Sequence, residues 1–314
     1  MERILSVRLL LLLVIAVLPA PFVRAQTSAV SISAWIDRGD CAGVPKFEPT
    51  LDGKPASVEA QLGPGSDQII LIVLDLTGDL SRIEAAKQAL IENISKLPQN
   101  AWVGVLRSQD GLHVLADPSP NRHVVTQAIQ SLSINGQPGL LETVTSALSL
   151  AAAMNRKAPV RVSVLYVTDG SIYSYREDYT NPVINPSDPY DLSRRFPEAL
   201  IDEKISKLVR SIGSLEAPLF VIHLDYRQDN LNSAYQNGLE TLTRTTGGEA
   251  DLCHSITEIP EAVSRIFARI TSAWWVTLSV PAKTHGHMQI GLNASCGKGN
   301  LQLSWRSHFH LKGE

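Results

Sequence analysis

Carboxylates and hydroxyls follow two apolar stretches of this chain, and oxygen ligands of this kind bind hard divalent cations. The first stretch leads into Asp75, Thr77 and Asp79, and the second leads into Asp169. Acidic and hydroxyl side chains at alternate positions of a tight loop can converge on Mg²⁺, Ca²⁺ or Mn²⁺. The alternative is that these side chains only cap the helices that follow. The spacing therefore predicts either a cation site or a set of helix caps.

Patterns typical of enzyme active sites are missing from the sequence. It contains no glycine-rich phosphate loop, no Gly-x-Ser-x-Gly turn and no zinc-protease helix motif. His285 with His287, and His308 with His310, form two His-x-His pairs without acids at a fixed spacing, and we interpret them as surface histidines. We predict that the chain is not an enzyme, with a metal-dependent hydrolase as the remaining catalytic alternative.

Strand and helix patterns alternate through the middle of the chain. Continuous apolar runs at residues 68–76, 160–167 and 218–224 predict strands buried on both faces. A capping box of Ser81 and Glu84 is expected to begin the first helix. Strands separated by helices predict an α/β fold with a doubly wound, mainly parallel sheet, which binds ligands at its strand ends. Another strand is predicted at 102–107, and helices at 81–97, 122–132, 142–154, 203–212, 231–246 and about 259–270.

Both ends of the chain have a β pattern instead. Short extended pieces with turns occupy residues 28–62, and three further strand candidates lie at 274–280, 287–293 and 300–305. We expect the two segments to build one small β-sheet. The predicted division is a signal peptide (1–25), an N-terminal β segment (26–66), the α/β domain (67–272, with an insertion at 171–200) and a C-terminal β segment (273–314).

The first 25 residues have the pattern of a secretory signal peptide. Arg3 and Arg8 precede an apolar run at residues 9–18, and a small-x-small sequence ends the segment at 23–25. The run is about half of the roughly 20 residues that a membrane span needs, so a membrane anchor is the weaker alternative. We therefore expect export to the periplasm or beyond the cell, and no membrane span in the mature chain.

The composition describes a folded and mildly acidic protein. The chain has 314 residues, of which 44% are hydrophobic, and a formal net charge of −3. Because the signal segment carries three arginines and one glutamate, its removal leaves 25 basic and 30 acidic residues, a net charge of −5. An acidic balance argues against a general nucleic-acid binder. The oligomeric state is left open.

Three cysteines allow one disulfide in an oxidising compartment. Cys41, Cys253 and Cys296 permit three pairings, and their spacing alone selects none. Because the N-terminal segment and the last strands are expected to share a sheet, a bond between Cys41 and Cys296 is the favoured pairing.

The loop motifs resemble those of a von Willebrand factor A domain. Members carry a metal-ion-dependent adhesion site built from an Asp-x-Ser-x-Ser loop, a separate threonine and a later aspartate, and here residues 75–79 and 167–170 occupy two of these places. Within this family, the chain resembles the bacterial exported group often called VWFA-related. The similarity extends over about residues 30–310 and includes FEPTLDGKP at 47–55, Thr-Gly-Gly at 246–248 and the aromatic pair at 274–275.

Carrying the family site over residue by residue assigns Asp75, Thr77 and Asp169 to family ligand positions. Asp79 stands where the family has its second serine, and Glu142, with Thr143 beside it, stands in the slot of the separate threonine. The resemblance thus implies a site with up to four carboxylates. Such a site either binds a cation without help from a partner's acidic side chain, or is degenerate and empty, with one acid protonated because its neighbours repel its charge.

The insertion at 171–200 follows Asp169 directly and is rich in tyrosine. Long segments without clear periodicity are often functional, and tyrosine offers contact area at a low entropic cost. We expect it to shape partner recognition through Tyr173, Tyr175, Tyr179 and Tyr190. The alternative is an ordered lid that covers the sheet edge.

Two functions remain after these exclusions. The first is a non-enzymatic, exported binding or adhesion-type module whose strand-end face engages a protein or cell-surface ligand, with or without a divalent cation. The second is a structural component of a cell-envelope assembly in which the site is inert and the terminal β segments make the contact.

Overall fold

The computed structural model describes residues 27–39, 41–175, 197–281, 284–297 and 299–311. The signal segment lies outside these residues. The strands are β1 (Thr27–Arg38), β2 (Lys46–Leu51), β3 (Lys54–Pro55), β4 (Val58–Leu62), β5 (Gln68–Asp75), β6 (Ala101–Arg107), β7 (His113–Ser119), β8 (Arg161–Thr168), β9 (Leu219–His223), β10 (Ala250–Leu252), β11 (Trp274–Pro281), β12 (Gly286–Cys296), β13 (Gly299–Trp305) and β14 (His308–Leu311). The α-helices are α1 (Leu80–Ser95), α2 (Arg122–Gln130), α3 (Leu140–Asn155), α4 (Pro197–Ile212), α5 (Asn230–Thr246) and α6 (Ile259–Ser272).

A six-stranded sheet with the order β10-β9-β8-β5-β6-β7 forms the centre of the molecule. All neighbouring strands are parallel except β7, which pairs with β6 in the antiparallel sense at one edge. Helices α1, α2 and α6 pack on one face, and α3, α4 and α5 pack on the other. The predicted doubly wound α/β fold is confirmed.

The central strand β5 illustrates why this arrangement forms. Ile70 and Ile72 belong to the core on one face, whereas Leu71 and Val73 belong to the core on the other. Because successive side chains of a strand point to opposite faces, a strand covered by helices on both sides must be apolar throughout. The continuous apolar run at 68–76 therefore reports the position of this strand inside the sheet.

Some local expectations differ from the structure. Asp79, not Ser81, is the N-cap of α1, since its carboxylate accepts the backbone N–H of Ser81. Helix α4 begins at Pro197, inside the predicted insertion. The sequence did not predict β7, β10 or β14, which are short or lie at sheet edges. Strand β7 contains a proline and shifts its register twice against β6, so its alternation pattern is broken.

The second sheet is antiparallel and is built from both terminal segments, as predicted. Its order is β3-β2-β12-β13-β1-β11-β4, and β14 pairs with β12. Strand β1 lies between β11 and β13, so the N-terminal strand sits inside a sheet whose other members come largely from the end of the chain. Its core includes Ile32, Val276 and Met288. Cys41 and Cys296 form a disulfide, which confirms the favoured pairing, and Cys253 is a buried free thiol.

Two buried arginines join the second sheet to the α/β layer. The guanidinium of Arg161, at the start of β8, donates to the carbonyls of Pro64 at 3.0 Å and Ala273 at 2.8 Å. Arg306 donates to the carbonyls of Gly213 and Leu215. Burial lowers the pKa of Arg161 to about 10 and that of Arg306 to about 9, so both stay charged at neutral pH. These contacts lie where the parallel strands begin, so the second sheet lies opposite the strand ends that carry the candidate site.

Candidate functional site

The buried carboxylate of Asp75 lies at the centre of the strand-end loops. One oxygen, Oδ1, accepts the Ser108 hydroxyl at 2.7 Å and the backbone N–H of Gly139 at 2.8 Å. The other, Oδ2, accepts the Thr168 hydroxyl at 3.0 Å. The carboxylate of Asp75 thus connects the ends of β5, β6 and β8 with the start of α3 through these three hydrogen bonds.

Asp169 lies beside Asp75 and is held by backbone groups. Its two carboxylate oxygens accept the N–H groups of Thr77 and Gly78, each at 2.7 Å. The backbone N–H of Asp169 in turn donates to the carbonyl of Asp75 at 3.3 Å. Only 6% of Asp169 is exposed, so the loop after β5 is folded over this carboxylate.

Burial raises the pKa of both acids. For Asp75 the loss of water outweighs the hydrogen bonds from Ser108, Gly139 and Thr168, and the nearby charge of Asp169 raises the pKa a little further. For Asp169 burial again dominates over the backbone N–H groups that favour its ionised form. Desolvation, more than repulsion between the acids, therefore drives the shift towards the protonated form.

The close approach of the loop before α3 depends on Gly139. A Cβ at this position would lie 2.0 Å from the carbonyl oxygen of Ser108. The absence of a side chain lets the Gly139 N–H reach Asp75, and the Gly139 carbonyl accepts the hydroxyl of Thr143 at 2.6 Å. The glycine thereby holds the N-terminus of α3 against the strand ends.

Asp79 and Glu142, unlike the two buried acids, are exposed and have other partners. Asp79 is exposed and caps α1, as the alternative interpretation of helix caps predicts. Glu142 lies on the outer side of α3, where its carboxylate is 3.7 Å from the ammonium of Lys204 on α4. Thr143, the neighbour of Glu142 in the family slot, is buried, and its hydroxyl also bonds that of Tyr166 at 2.9 Å.

These donors do not fit a divalent cation in the described conformation. Among the described residues, no group of three or more His, Cys, Asp or Glu side chains is arranged to hold a metal ion. Both oxygens of Asp75 and both of Asp169 already accept hydrogen bonds from the chain. Only Oδ1 of Asp75 accepts two hydrogen bonds, so the other three oxygens each keep a lone pair. Among the described residues, however, no further acidic, histidine or cysteine side chain converges with the two acids to complete a cation site.

An open cleft of about 230 Å³ lies above the buried acids. We call it the strand-end cleft. It is formed by the loops after β5, β8 and β9 together with the loop before α3. Its lining residues are Thr77, Gly78, Asp79, Arg82, Gly136, Pro138, Asp169, Ser174, Asp225 and Arg227.

Two arginines that the sequence analysis did not single out flank this cleft. Arg82 of α1 donates to the carbonyl of Leu224 and lies 3.3 Å from one carboxylate oxygen of Asp225. Arg227 donates to the other oxygen of Asp225 through Nε at 2.9 Å and through Nη2 at 2.8 Å. Asp225 and Arg227 follow the predicted strand at 218–224, so applying the strand-end rule to that strand as well would have found them.

The tyrosines of the insertion divide into three groups. Tyr173 is 51% exposed, and its hydroxyl donates to Asp229 at 2.8 Å. Tyr175 is 6% exposed, and its hydroxyl bonds that of Tyr235 at 3.0 Å. Tyr175 is therefore a core residue in this conformation, contrary to its expected place on a contact surface. Tyr179 and Tyr190 lie outside the described residues.

A buried histidine supports the floor of the cleft. His223 ends β9, and its Nε2 is 3.0 Å from the carbonyl oxygen of Gly170, so this nitrogen carries the proton. Burial lowers the pKa of His223 to about 4, and the ring is neutral at physiological pH. Its Nδ1 is buried and has no hydrogen-bond partner among the described residues.

A protein-family model matches one part of this chain. Residues 70–171 match the family model of the von Willebrand factor type A domain. The match runs from β5 to the loop after β8, and it therefore contains Asp75, Asp169 and the loop that carries Gly139. No curated protein matches the sequence.

Three solved structures with a similar fold have low sequence identity to this chain. The von Willebrand factor type A protein from Catenulispora acidiphila is 13% identical, with 93% of this chain and 75% of that chain covered and a TM-score of 0.46. The vWF domain of the type V pili tip protein Mfa5 from Porphyromonas gingivalis is 12% identical, with 65% and 95% covered and a TM-score of 0.45. The PilB minor pilin from Streptococcus sanguinis is 13% identical, with 66% and 62% covered and a TM-score of 0.47.

Proposed function

We propose that this chain, which carries a von Willebrand factor type A domain, is an exported, non-enzymatic binding module that engages a protein or surface partner at the strand-end cleft. Domains of this family generally serve as interaction modules without catalytic activity. The partner would contact the strand ends of the α/β layer, while the second sheet occupies the opposite end of the molecule.

The observation that carries this proposal is the combination of a small, open cleft with a charged rim. A volume of about 230 Å³ is below the roughly 300–1,000 Å³ of typical small-molecule sites, but it accommodates one or two side chains of a protein partner. Arg82 and Arg227 supply positive charge, and Asp79 and Asp225 supply negative charge at the same rim. A surface of both signs favours a partner that presents polar and charged side chains.

The buried acids serve this surface by fixing its shape. Asp75 and Asp169 accept hydrogen bonds from the loops that form the cleft walls, and both side chains are buried below the rim. The partner therefore meets the rim directly. Assistance by Mg²⁺, Ca²⁺ or Mn²⁺ is a separate hypothesis, which titration of residues 27–314 with each ion tests, because binding must give heat that an Asp75→Ala variant loses.

Export is part of the proposal and is supported by two features. Residues 1–25 have the pattern of a cleavable signal, and the Cys41–Cys296 disulfide is of a kind that persists in oxidising compartments. Within the described ranges, no helix is long and apolar enough to span a membrane. Expression of the full chain with a reporter fused to its C-terminus, followed by fractionation, tests the location.

The decisive experiment for the cleft is a crosslinking pull-down with residues 27–314, run with and without chelator. Arg227→Glu reverses a charge at the rim, and Asp79→Asn removes a charge there while it keeps an oxygen that can cap α1. Neither variant changes the buried acids. Arg244→Glu is the matched control, because Arg244 is an exposed arginine on the outer side of α5. We expect the rim variants to lose partners that the control retains. Equal capture by all variants would contradict the proposal.

A second candidate function rests on the second sheet. A cleft of about 420 Å³ there is lined by Leu51, Pro55, Pro281 and Met288 among others, and is larger than the strand-end cleft. A structural component of a cell-envelope assembly would use this surface and leave the strand ends inert. Ser57→Arg, at an exposed position of the cleft wall, should then abolish capture while Arg227→Glu leaves it unchanged.

A further inference from the structure

Two histidines of the second sheet face one another across neighbouring strands. His287 of β12 is the register partner of His310 of β14, in an antiparallel pair that also aligns Gln289 with His308. The two imidazole ring centroids are 4.8 Å apart, with 57° between the ring planes. The pairing of β12 with β14 therefore joins the two His-x-His sequences, which are separated along the chain, at one place on the surface.

The separation of the rings suits coordination of one transition-metal ion. A metal–nitrogen bond of about 2.0–2.1 Å puts the ion roughly 3.2 Å from each ring centroid. Rings 4.8 Å apart then give a nitrogen–metal–nitrogen angle of roughly 95–100°. This angle lies between the values of square-planar and tetrahedral coordination, so both rings can bind one ion after small side-chain rotations.

The hydrogen bonding of the pair is incomplete as it stands. The Nδ1 atom of His310 is buried and has no partner among the described residues. A buried polar atom without a partner costs free energy. The described protein groups packed around this ring supply no hydrogen bond that would offset this cost. His287 is exposed on the other side of the pair and leaves access from solvent.

The ligand class follows from the donor type. Neutral imidazole binds Zn²⁺, Ni²⁺ and Cu²⁺, with Cu²⁺ the tightest of the three, and it is a poor ligand for Mg²⁺ and Ca²⁺. Within the described part of the chain no third His, Cys, Asp or Glu converges on the pair. Water must therefore complete the coordination shell, which is typical of an open site rather than of a closed structural zinc site.

We propose that His287 and His310 form a surface site for a divalent transition-metal ion of the Cu²⁺, Ni²⁺ and Zn²⁺ class. The site lies on the second sheet, shares no residue with the strand-end cleft and is independent of the proposed function. An ion bound here would also link β14 to β12, because each strand supplies one ligand.

The test is titration of untagged residues 27–314 with CuCl₂ and with ZnCl₂ by calorimetry, together with electron paramagnetic resonance of the Cu²⁺ complex. We expect one ion per chain and a spectrum with coupling to imidazole nitrogen. His287→Gln and His310→Gln should each weaken binding at least tenfold. His123→Gln is the control, because His123 is an exposed histidine on α2 far from the pair in the sequence.

The outcomes separate this site from others. Cu²⁺ binding that is unchanged in the double variant His287→Gln/His310→Gln, or no binding at millimolar Cu²⁺, would overturn the proposal. Binding that Asp79→Ala abolishes but His287→Gln does not would move the ion to the strand-end cleft and overturn it equally. Thermal unfolding of each variant without metal checks that the fold is retained, and His287→Gln, at an exposed position, remains informative if His310→Gln unfolds.

Discussion

Thr168 stands opposite Asp75 in the register of two neighbouring parallel strands, and its hydroxyl donates to the buried carboxylate at 3.0 Å. The same hydroxyl oxygen accepts the backbone N–H of Gly170 at 3.0 Å. The last residues of β5 and β8 are thus bonded side chain to side chain, where backbone pairing ends. Hydrogen bonds through Asp75 and Thr168 thus connect the loops after β5 and β8 below the strand-end cleft.

Removing the carboxylate of Asp75 should destabilise the protein. Asp75→Ala leaves the donors of Ser108, Gly139 and Thr168 without their acceptor in a buried site, at a cost of about 2–4 kcal/mol in the free energy of unfolding. Asp75→Asn keeps an acceptor oxygen and should cost less. Urea unfolding at pH 7 measures both, and equal stabilities for the wild type and Asp75→Ala would contradict the network.

The pH dependence of this network has a defined sign. Because burial raises the pKa of Asp75 above its unfolded value of about 3.9, the folded state holds the proton more tightly. The contribution of Asp75 to stability is greatest when the pH is below its pKa in the unfolded state. It is lost as the pH rises through its pKa in the folded state. Relative to Asp75→Asn, the wild type should gain stability as the pH falls from 7 towards 4. Urea unfolding along a pH series checks this sign.

His223 should act in the opposite direction. Its pKa of about 4 in the folded state lies below the unfolded value of about 6.5, so the unfolded chain binds the proton first. Stability is therefore complete above about pH 6.5 and falls by about 2 kcal/mol on acidification to pH 5. His223→Gln should lack this fall. The measurement is the free energy of unfolding of the wild type and of His223→Gln at pH 7.5 and at pH 5. The difference between the two proteins is compared at the two pH values, and this comparison cancels any constant cost of the substitution.

The cysteines predict a simple thiol count. Cys253 is buried, and burial raises its pKa to about 12, so the native protein should not react with a thiol reagent at pH 8. Unfolding without reductant should expose one thiol per chain, and unfolding with reductant three. Three reactive thiols after unfolding without reductant would show that Cys41 and Cys296 are not bonded in the isolated protein.

Arg161 should be worth more to stability than an exposed arginine. Its guanidinium donates to carbonyls of the linker before β5 and of the turn before β11, and to the side chain of Gln68 at 3.1 Å. Arg161→Met leaves these buried acceptors unpaired and should cost about 3 kcal/mol. The exposed Arg244→Met should change the free energy of unfolding by less than about 0.5 kcal/mol. Denaturant unfolding of both variants makes the comparison.

The sequence was most informative for elements whose apolar residues follow a clear pattern. The apolar run at 68–76 could be recognised as a central strand because both of its faces are covered, and the amphipathic pattern of α6 defined its buried side. The resemblance to A domains agrees with the family match over residues 70–171. Edge strand β7 was missed because its side chains are mostly exposed and its register shifts break the alternation.

The site was harder to predict because sequence position does not determine side-chain direction. Asp75 and Asp169 do lie together at the strand ends, as expected. Glu142 occupies the expected slot in the sequence, but its side chain is exposed and lies 3.7 Å from the ammonium of Lys204. The two backbone N–H bonds to Asp169 depend on the path of the loop at 76–79, which no residue pattern specifies.

The position of the second sheet determines how the molecule would respond to tension. Strand β1 packs near the beginnings of the parallel strands, and the cleft lies at their ends, so the strands of the α/β layer run between the two. A partner pulling at the cleft against a support attached through β1 would load neighbouring strands along their length. The hydrogen bonds between these strands would then be loaded in shear, all at the same time. They would not open one after another.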